Sequence, residues 1–218
     1  VMKQLEPILD TGVMTASGHT LRENLERARV RDPRIIRPID DPIQPDGGLR
    51  IVRGNLAPDG AVIKTAAASS HLIKHTGPAA ILPKKVEGDY QAYVDKALAD
   101  VTEDHVLINR YLGPIGAPGM PERGPAGLPR HLLRKGVRDM VRVVDCRMSG
   151  TSYGTVVLHV APEAAVGGPL AVVEEGDMVE LDANAGKLNL LVDEREMQRR
   201  LDAWTPLPPA YDLGYRAL

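Results

Sequence analysis

The chain has 218 residues and a formal net charge of −2, and it holds no run of Lys or Arg long enough to track a nucleic acid or an acidic membrane surface. Hydrophobic residues are 43%, but Phe is absent and aromatics are 3%, so a core has to be assembled from Val, Leu, Ile, Ala and Met. No apolar stretch approaches the roughly 20 residues of a membrane span, and Cys146, the single cysteine, excludes an internal disulfide and fits a reducing cytosol.

In chain order, Met2, Leu5, Ile8 and Leu9 have helical spacing with no cap before them. Residues 1–17 therefore read as the end of a helix and a linker from a missing N-terminal domain, and residues 18–218 as a second domain. Thr20-Leu21-Arg22-Glu23 has the form of a capping box, which predicts a helix over 21–29. Residues 32–48 are rich in Pro and Gly and read as extended loop. Short apolar runs at 49–52, 61–63, 79–82, 106–108, 141–144, 170–173, 178–181 and 188–192 read as strands. Helical spacing recurs over 90–101 and 132–137, and a last helix runs over 193–203 with Asp193 and Glu196 spaced as a cap pair. Many short strands with few helices predict an α+β barrel or sandwich-like domain.

Polar groups concentrate in loops, where a scaffold can position them. His71 and His75, at i and i+4, would share one face of a helix as metal ligands; surface or capping histidines are the plainer reading. Gly113, Gly116 and Gly119 form a Gly-x-x-Gly-x-x-Gly run whose backbone N–H groups could cradle an anion, although it matches neither phosphate-binding fingerprint. Ser149 follows an apolar strand and precedes Gly150, as an exposed base or nucleophile would. Arg147 and Thr151 stand where a nucleophile elbow needs glycine, so a serine hydrolase is disfavoured.

Three stretches carry a resemblance: Arg53-Gly54-Asn55-Leu56-Ala57-Pro58-Asp59-Gly60-Ala61-Val62, Gly116-Ala117-Pro118-Gly119-Met120-Pro121-Glu122, and Arg147-Met148-Ser149-Gly150-Thr151, followed by His159-Val160-Ala161-Pro162-Glu163. In this order they resemble the C-terminal domain of the dihydroxy-acid dehydratase/phosphogluconate dehydratase family, over nearly the whole chain. Gly136-Val137-Arg138-Asp139-Met140 and the run Met148 to Thr155 look most like the pentonate (arabinonate, xylonate) dehydratases.

The resemblance implies a mixed β-barrel-like, swivelling β/β/α domain with short flanking helices. It implies a hydro-lyase that converts a 2,3-dihydroxy (sugar) acid into a 2-keto-3-deoxy acid. Ser149 would be the catalytic base, with Thr151 beside it; Asn55, Gly150 and Thr151 would meet the substrate, and Glu122 would ligate magnesium. The cofactors implied are magnesium and a [2Fe–2S] iron–sulfur cluster whose cysteines lie outside this chain; Cys146 stands where the family has a small non-ligand residue. The implied partners are an N-terminal dehydratase domain, a small sugar acid and further copies in a cytoplasmic homo-oligomer, with no nucleic acid or membrane. Alternatives are a dihydroxy-acid dehydratase of branched-chain amino-acid synthesis, or a non-catalytic barrel used for binding. In a domain that closes over metals held elsewhere, Leu56, Ile115, Met120 and Met148 are expected to line an exposed apolar patch.

Overall fold

The computed structural model describes residues 1–44, 46–82, 89–119, 122 and 127–208. The chain divides into two compact units, Val1–Gly47 and Gly48–Leu218. The first opens with α1 (Met2–Leu5), continued by a 3-10 turn at Glu6–Ile8. Its second helix, α2 (Leu21–Leu25), starts at the expected capping box: the Thr20 hydroxyl accepts from the Glu23 amide, and the Glu23 carboxylate accepts from the Thr20 amide. The helix is four residues shorter than its spacing suggests. The Glu26 amide is shared between the Arg22 and Glu23 carbonyls, which tightens the last turn, and the Arg29 guanidinium then caps the carbonyls of Glu26 and Ala28.

The second unit is a closed eight-stranded barrel. Its strands are β1 (Arg50–Gly54), β2 (Ala57–Ile63), β3 (Lys74–Ile81), β4 (Val106–Asn109), β5 (Arg142–Val144), β6 (Val156–Ala161), β7 (Met178–Asp182) and β8 (Lys187–Leu190), in ring order β1-β2-β6-β5-β4-β3-β7-β8. Neighbours from β3 through β4 and β5 to β6 are parallel, β8 is parallel to β1, and the other pairs are antiparallel. This is the mixed α+β barrel expected. Closure matters physically, because it leaves no unpaired strand edge.

Among the described residues three α-helices flank the barrel: α3 (Tyr90–Ala97), α4 (Arg130–Arg134) and α5 (Glu194–Ala203). Asp193 caps α5 by accepting from the Arg195 amide, whereas Glu196 pairs with Arg199 and Arg200 and not with the cap. Two strand readings change. Residues 170–172 belong to a 3-10 helix, Pro169–Val172, and Val173 is its extended C-cap. Pro169 sets the entry, and the carbonyls of Leu170, Ala171 and Val173 converge on the guanidinium of Arg110, which an extended strand could not arrange. Conversely, β6 was not among the expected strands, although Val156, Val157 and Leu158 form a short buried apolar run in it.

Without Phe, the interior is filled by aliphatic side chains: Val52, Ile63, Val106, Ile108, Val143, Val157, Leu181 and Leu188 are all fully buried in one cluster. Fully burying each such side chain contributes about 1.5–3 kcal/mol. Strand alternation sends the neighbouring residues outward. Leu107 meets α3 and α4 through Val94, Leu98 and Leu132. Val144, Cys146, Val156 and Leu158 form a third cluster with Leu112, and Ala117 and Met148 pack onto it. That cluster seats the loops after β4 and β5 on one patch of the outer wall. The strand registers show that β4, β5, β6, β1 and β8 all finish at one end of the barrel.

Candidate functional site

At that end the loop after β4 and the loop after β5 are built around two acidic side chains. Asp145, directly after β5, is buried. Its Oδ1 accepts from the Leu112 amide at 2.9 Å, and its Oδ2 accepts from the amides of Tyr111 at 2.9 Å and Ala164 at 3.1 Å. One carboxylate thus ties together the starts of three loops. Burial raises its pKa above the ordinary aspartate value, against the opposing pull of those amides.

Glu163 acts on the next turn of the same loop. Its Oε1 accepts from the amides of Ile115 at 2.8 Å and Gly116 at 3.2 Å. Burial, aided by the nearby charge of Asp145, pushes its carboxyl up, and Oε2 is buried with no hydrogen-bond partner. The glycine run therefore does cradle an anion with its backbone, and that anion is the chain's own Glu163. The glycines are required by close approach: a Cβ on Gly113 would lie 1.7 Å from Glu163 Oε2, and one on Gly116 would lie 2.6 Å from the Tyr111 carbonyl carbon.

Farther along this loop stands Glu122, which is exposed and lies 3.5 Å from an Arg147 guanidinium nitrogen, with side-chain exposures of 43% and 50%. Such a pair contributes at most about 1 kcal/mol. Its significance is positional, because Arg147 is two residues before Ser149. Ser149 is half-buried, and its hydroxyl lies 3.1 Å from that of Thr151. Gly150, between them, is exposed. A Cβ there would meet nothing within 4 Å among the described residues, and its φ lies outside the left-handed region, so none of them requires glycine at that position.

The far end of the Ser149 loop is equally fixed. Thr155 donates its amide and hydroxyl to Asp139, and its hydroxyl accepts from the Ser69 amide. Burial pushes Asp139 up, but the bonds from Thr155 and Ser69 and the charge of Arg142 outweigh it and hold the carboxyl below its ordinary value. The Gly154 amide donates to the Ala67 carbonyl at 2.8 Å, and the Lys64 ammonium donates to the carbonyls of Gly150 and Ser152.

The structure thus brings Glu122, Ser149, Gly150 and Thr151 onto two adjoining loops. Asn55 is placed elsewhere. It sits in the β1–β2 turn, its Nδ2 donates to the Leu190 carbonyl at 2.8 Å, and its Oδ1 accepts from the Leu190 amide at 2.7 Å. The side chain prolongs the β1–β8 ladder, whose backbones pair only at Arg53 and Lys187, on a seam three strands round the ring from that between β5 and β6.

His71 and His75 do not share a helical face: His71 is on a 3-10 turn, while His75 is on β3 with its ring 2.8 Å from the Asp104 carbonyl. The expected apolar patch also changes. Leu56 is fully buried because it turns into the barrel core, Ile115 is 62% exposed, Met148 is half-buried against the third cluster, and Met120 lies outside the described residues. Arg147, Asp145, Glu163 and Lys64 escaped the sequence reading as site residues, although Arg147 and Glu163 lie in the stretches that carry the resemblance, Asp145 precedes the third by two positions and Lys64 follows the first by two.

Among the described residues no three His, Cys, Asp or Glu side chains gather as a metal site. Glu122 offers one hard, solvent-facing carboxylate, which suits a single position on magnesium. Cys146 is fully buried in the third cluster, so its thiol does not fit ligation of an iron–sulfur cluster at these loops. No helix among the described residues is long and apolar enough to cross a membrane.

Comparison with known proteins gives a consistent result. Residues 34–217 match the family described as dihydroxy-acid/6-phosphogluconate dehydratase C-terminal. The L-arabonate dehydratase of Azospirillum brasilense is 50% identical over 88% of this chain and 33% of its own length. The 6-deoxy-6-sulfo-D-gluconate dehydratase of Pseudomonas putida is 44% identical over 100% of this chain and 38% of its own. The dihydroxy-acid dehydratase of Acetivibrio thermocellus is 38% identical over 99% and 38% respectively. The chain therefore spans between a third and two-fifths of the length of these curated relatives.

Proposed function

The chain belongs to the dihydroxy-acid/6-phosphogluconate dehydratase family, whose C-terminal part it matches, and on that premise we propose that it completes the active site of a sugar-acid dehydratase. The reaction removes water from a 2,3-dihydroxy acid to give a 2-keto-3-deoxy acid. In this reading residues 18–218 are the C-terminal domain, residues 1–17 are the link to an N-terminal domain, and the assembled enzyme is a cytoplasmic homo-oligomer. A sugar acid is favoured over a branched-chain precursor because relatives named for sugar acids are 44–50% identical, against 38–39% for those named dihydroxy-acid dehydratases.

Ser149, as its alkoxide, takes the proton from C2. The electron pair of that C–H bond forms the C2–C3 double bond as the C3–O bond breaks and the 3-hydroxyl leaves. The enol is then protonated at C3 as its 2-hydroxyl proton is lost, giving the ketone, and the departed hydroxide takes up the proton that Ser149 removed, so that one water leaves and the alkoxide is restored. Thr151 lies within hydrogen-bond reach of the base and can hold or pass its proton. Gly150 leaves room for substrate to approach the backbone, and Glu122 supplies one oxygen ligand. Magnesium and the [2Fe–2S] cluster, held mainly by the N-terminal domain, supply Lewis-acid chemistry at the substrate oxygens when bound. Asn55 enters the reading as a substrate contact only by resemblance, since its side-chain atoms already serve Leu190.

The observation that carries the proposal is the contact between the two loops, Glu122 to Arg147, two residues from Ser149. The test is dehydration of pentonates, followed as 2-keto acid. We expect turnover by this chain joined to the N-terminal domain, none by the 218 residues alone, and a fall in kcat of about 10²–10⁴-fold for Ser149→Ala. Full activity of Ser149→Ala would refute the assignment.

A further inference from the structure

The arm that follows β2, residues 64–69, has no part in the chemistry above, yet it is bonded to the returning half of the Ser149 loop at three levels. The Ser69 amide reaches the Thr155 hydroxyl at 3.1 Å, the Ala67 carbonyl accepts from Gly154 at 2.8 Å, and the Lys64 ammonium meets the Gly150 carbonyl at 2.5 Å and the Ser152 carbonyl at 3.4 Å. The first two bonds fix the foot of the loop. Lys64 grips its tip, on the two carbonyls that bracket Thr151.

We propose that Lys64 is a positioning residue for the base: it holds the Ser149-Gly150-Thr151 turn in its working conformation and sets a positive charge behind the serine. Three features support this. Lys64 is half-buried at the end of a barrel strand, so its stem starts from a rigid element. Its partners are backbone carbonyls, so the grip depends on the position of the turn and not on another side chain's charge. The turn is otherwise tied only to itself among the described residues, by the Ser152 amide to the Ser149 carbonyl at 3.1 Å and by the Ser149–Thr151 hydroxyl pair, so Lys64 is what joins its tip to the barrel.

The charge has a chemical consequence. A serine hydroxyl gives up its proton more readily beside a cation. Arg147, two residues before Ser149, is half-exposed, so solvent screens its charge. The buried Asp139–Arg142 pair at the foot of the loop balances itself, and Tyr153 is exposed. The Lys64 ammonium, held on the turn itself, adds its charge to that of the magnesium in favouring the alkoxide.

This inference rests on Ser149 being the base, so the test has two arms. In the purified chain, Lys64→Met is expected to speed amide exchange in residues 150–153 by about tenfold or more, the loss of a hydrogen bond from a charged donor, while Lys64→Arg stays near the original rate. In the complete enzyme, Lys64→Met is expected to lower kcat with little change in KM and to move the acid limb of the pH–rate profile upward by about one unit, because a serine that has lost its cation ionises at higher pH. Lys64→Arg is expected to restore both. Unchanged exchange in Lys64→Met overturns the grip, and an unmoved acid limb overturns the charge effect. If the unsubstituted complete enzyme turns over no sugar acid, the assignment of the base falls and the charge effect with it, while the exchange arm still decides whether Lys64 holds the turn.

Discussion

Asp145→Asn tests whether one buried carboxylate organises the site. In the native chain three amides donate to it, from Tyr111, Leu112 and Ala164, at 2.9–3.1 Å. Asparagine keeps the shape but has one acceptor oxygen, so at least one buried N–H is left facing an amide NH₂. Losing a bond and stranding a buried donor costs about 1–3 kcal/mol, and weakening two charge-assisted bonds to neutral ones adds about 1 kcal/mol each. Against this, a carboxylate whose pKa is raised by burial no longer has to be desolvated. The net expectation is a loss of about 2–4 kcal/mol, a large share of the roughly 5–15 kcal/mol typical of a domain. With a urea slope of about 2 kcal/mol/M, the unfolding midpoint at neutral pH drops by about 1–2 M. Because the same carboxylate reaches two loops, amide exchange should quicken together in residues 111–117 and 164–167. A midpoint within about 0.3 M of the original, or quickening in one loop alone, would show that Asp145 is not the shared brace.

Glu163→Gln addresses the second acid. Its folded pKa is raised, so the stability it contributes is present below its unfolded value of about 4.3 and is lost as pH climbs through the folded value. Glu163→Gln should therefore gain on the original protein as pH rises from about 4 to 7, measured as the difference in melting temperature, and a constant difference would contradict the buried, unpaired Oε2. Gly116→Ala and Gly150→Ala form a contrasting pair. The first places a Cβ 2.6–2.8 Å from the Tyr111 backbone and should destabilise by about 1–3 kcal/mol, whereas the second meets open space and should stay within about 0.5 kcal/mol in urea unfolding while raising KM for the sugar acid. Equal stability losses would deny that Gly150 is free of internal packing.

Local chemistry was legible in the sequence where it acts over three or four residues. The Thr20–Glu23 capping box, the Asp193 cap of α5, most of the strand runs and the identity of the Ser149 and Glu122 loops all depend on near neighbours or on contiguous motifs. Composition likewise determined that the core would be aliphatic, since no Phe was available to fill it. The ring order of the strands was not legible, because hydrophobic runs state that a strand is buried and not which strand lies beside it. Tertiary structure alone decided what the polar residues do. Asn55, a substrate contact by resemblance, has its side chain bonded to Leu190, 135 positions away; the glycine run looked like an anion cradle and receives Glu163, 47 and 48 positions later. Asp145 and Lys64 find their partners in the same way, across 19 to 34 and 86 to 88 positions. Hydrogen bonds at such separations exist only once the chain has closed into a barrel, so the residue types announce a donor or an acceptor and the fold chooses the mate.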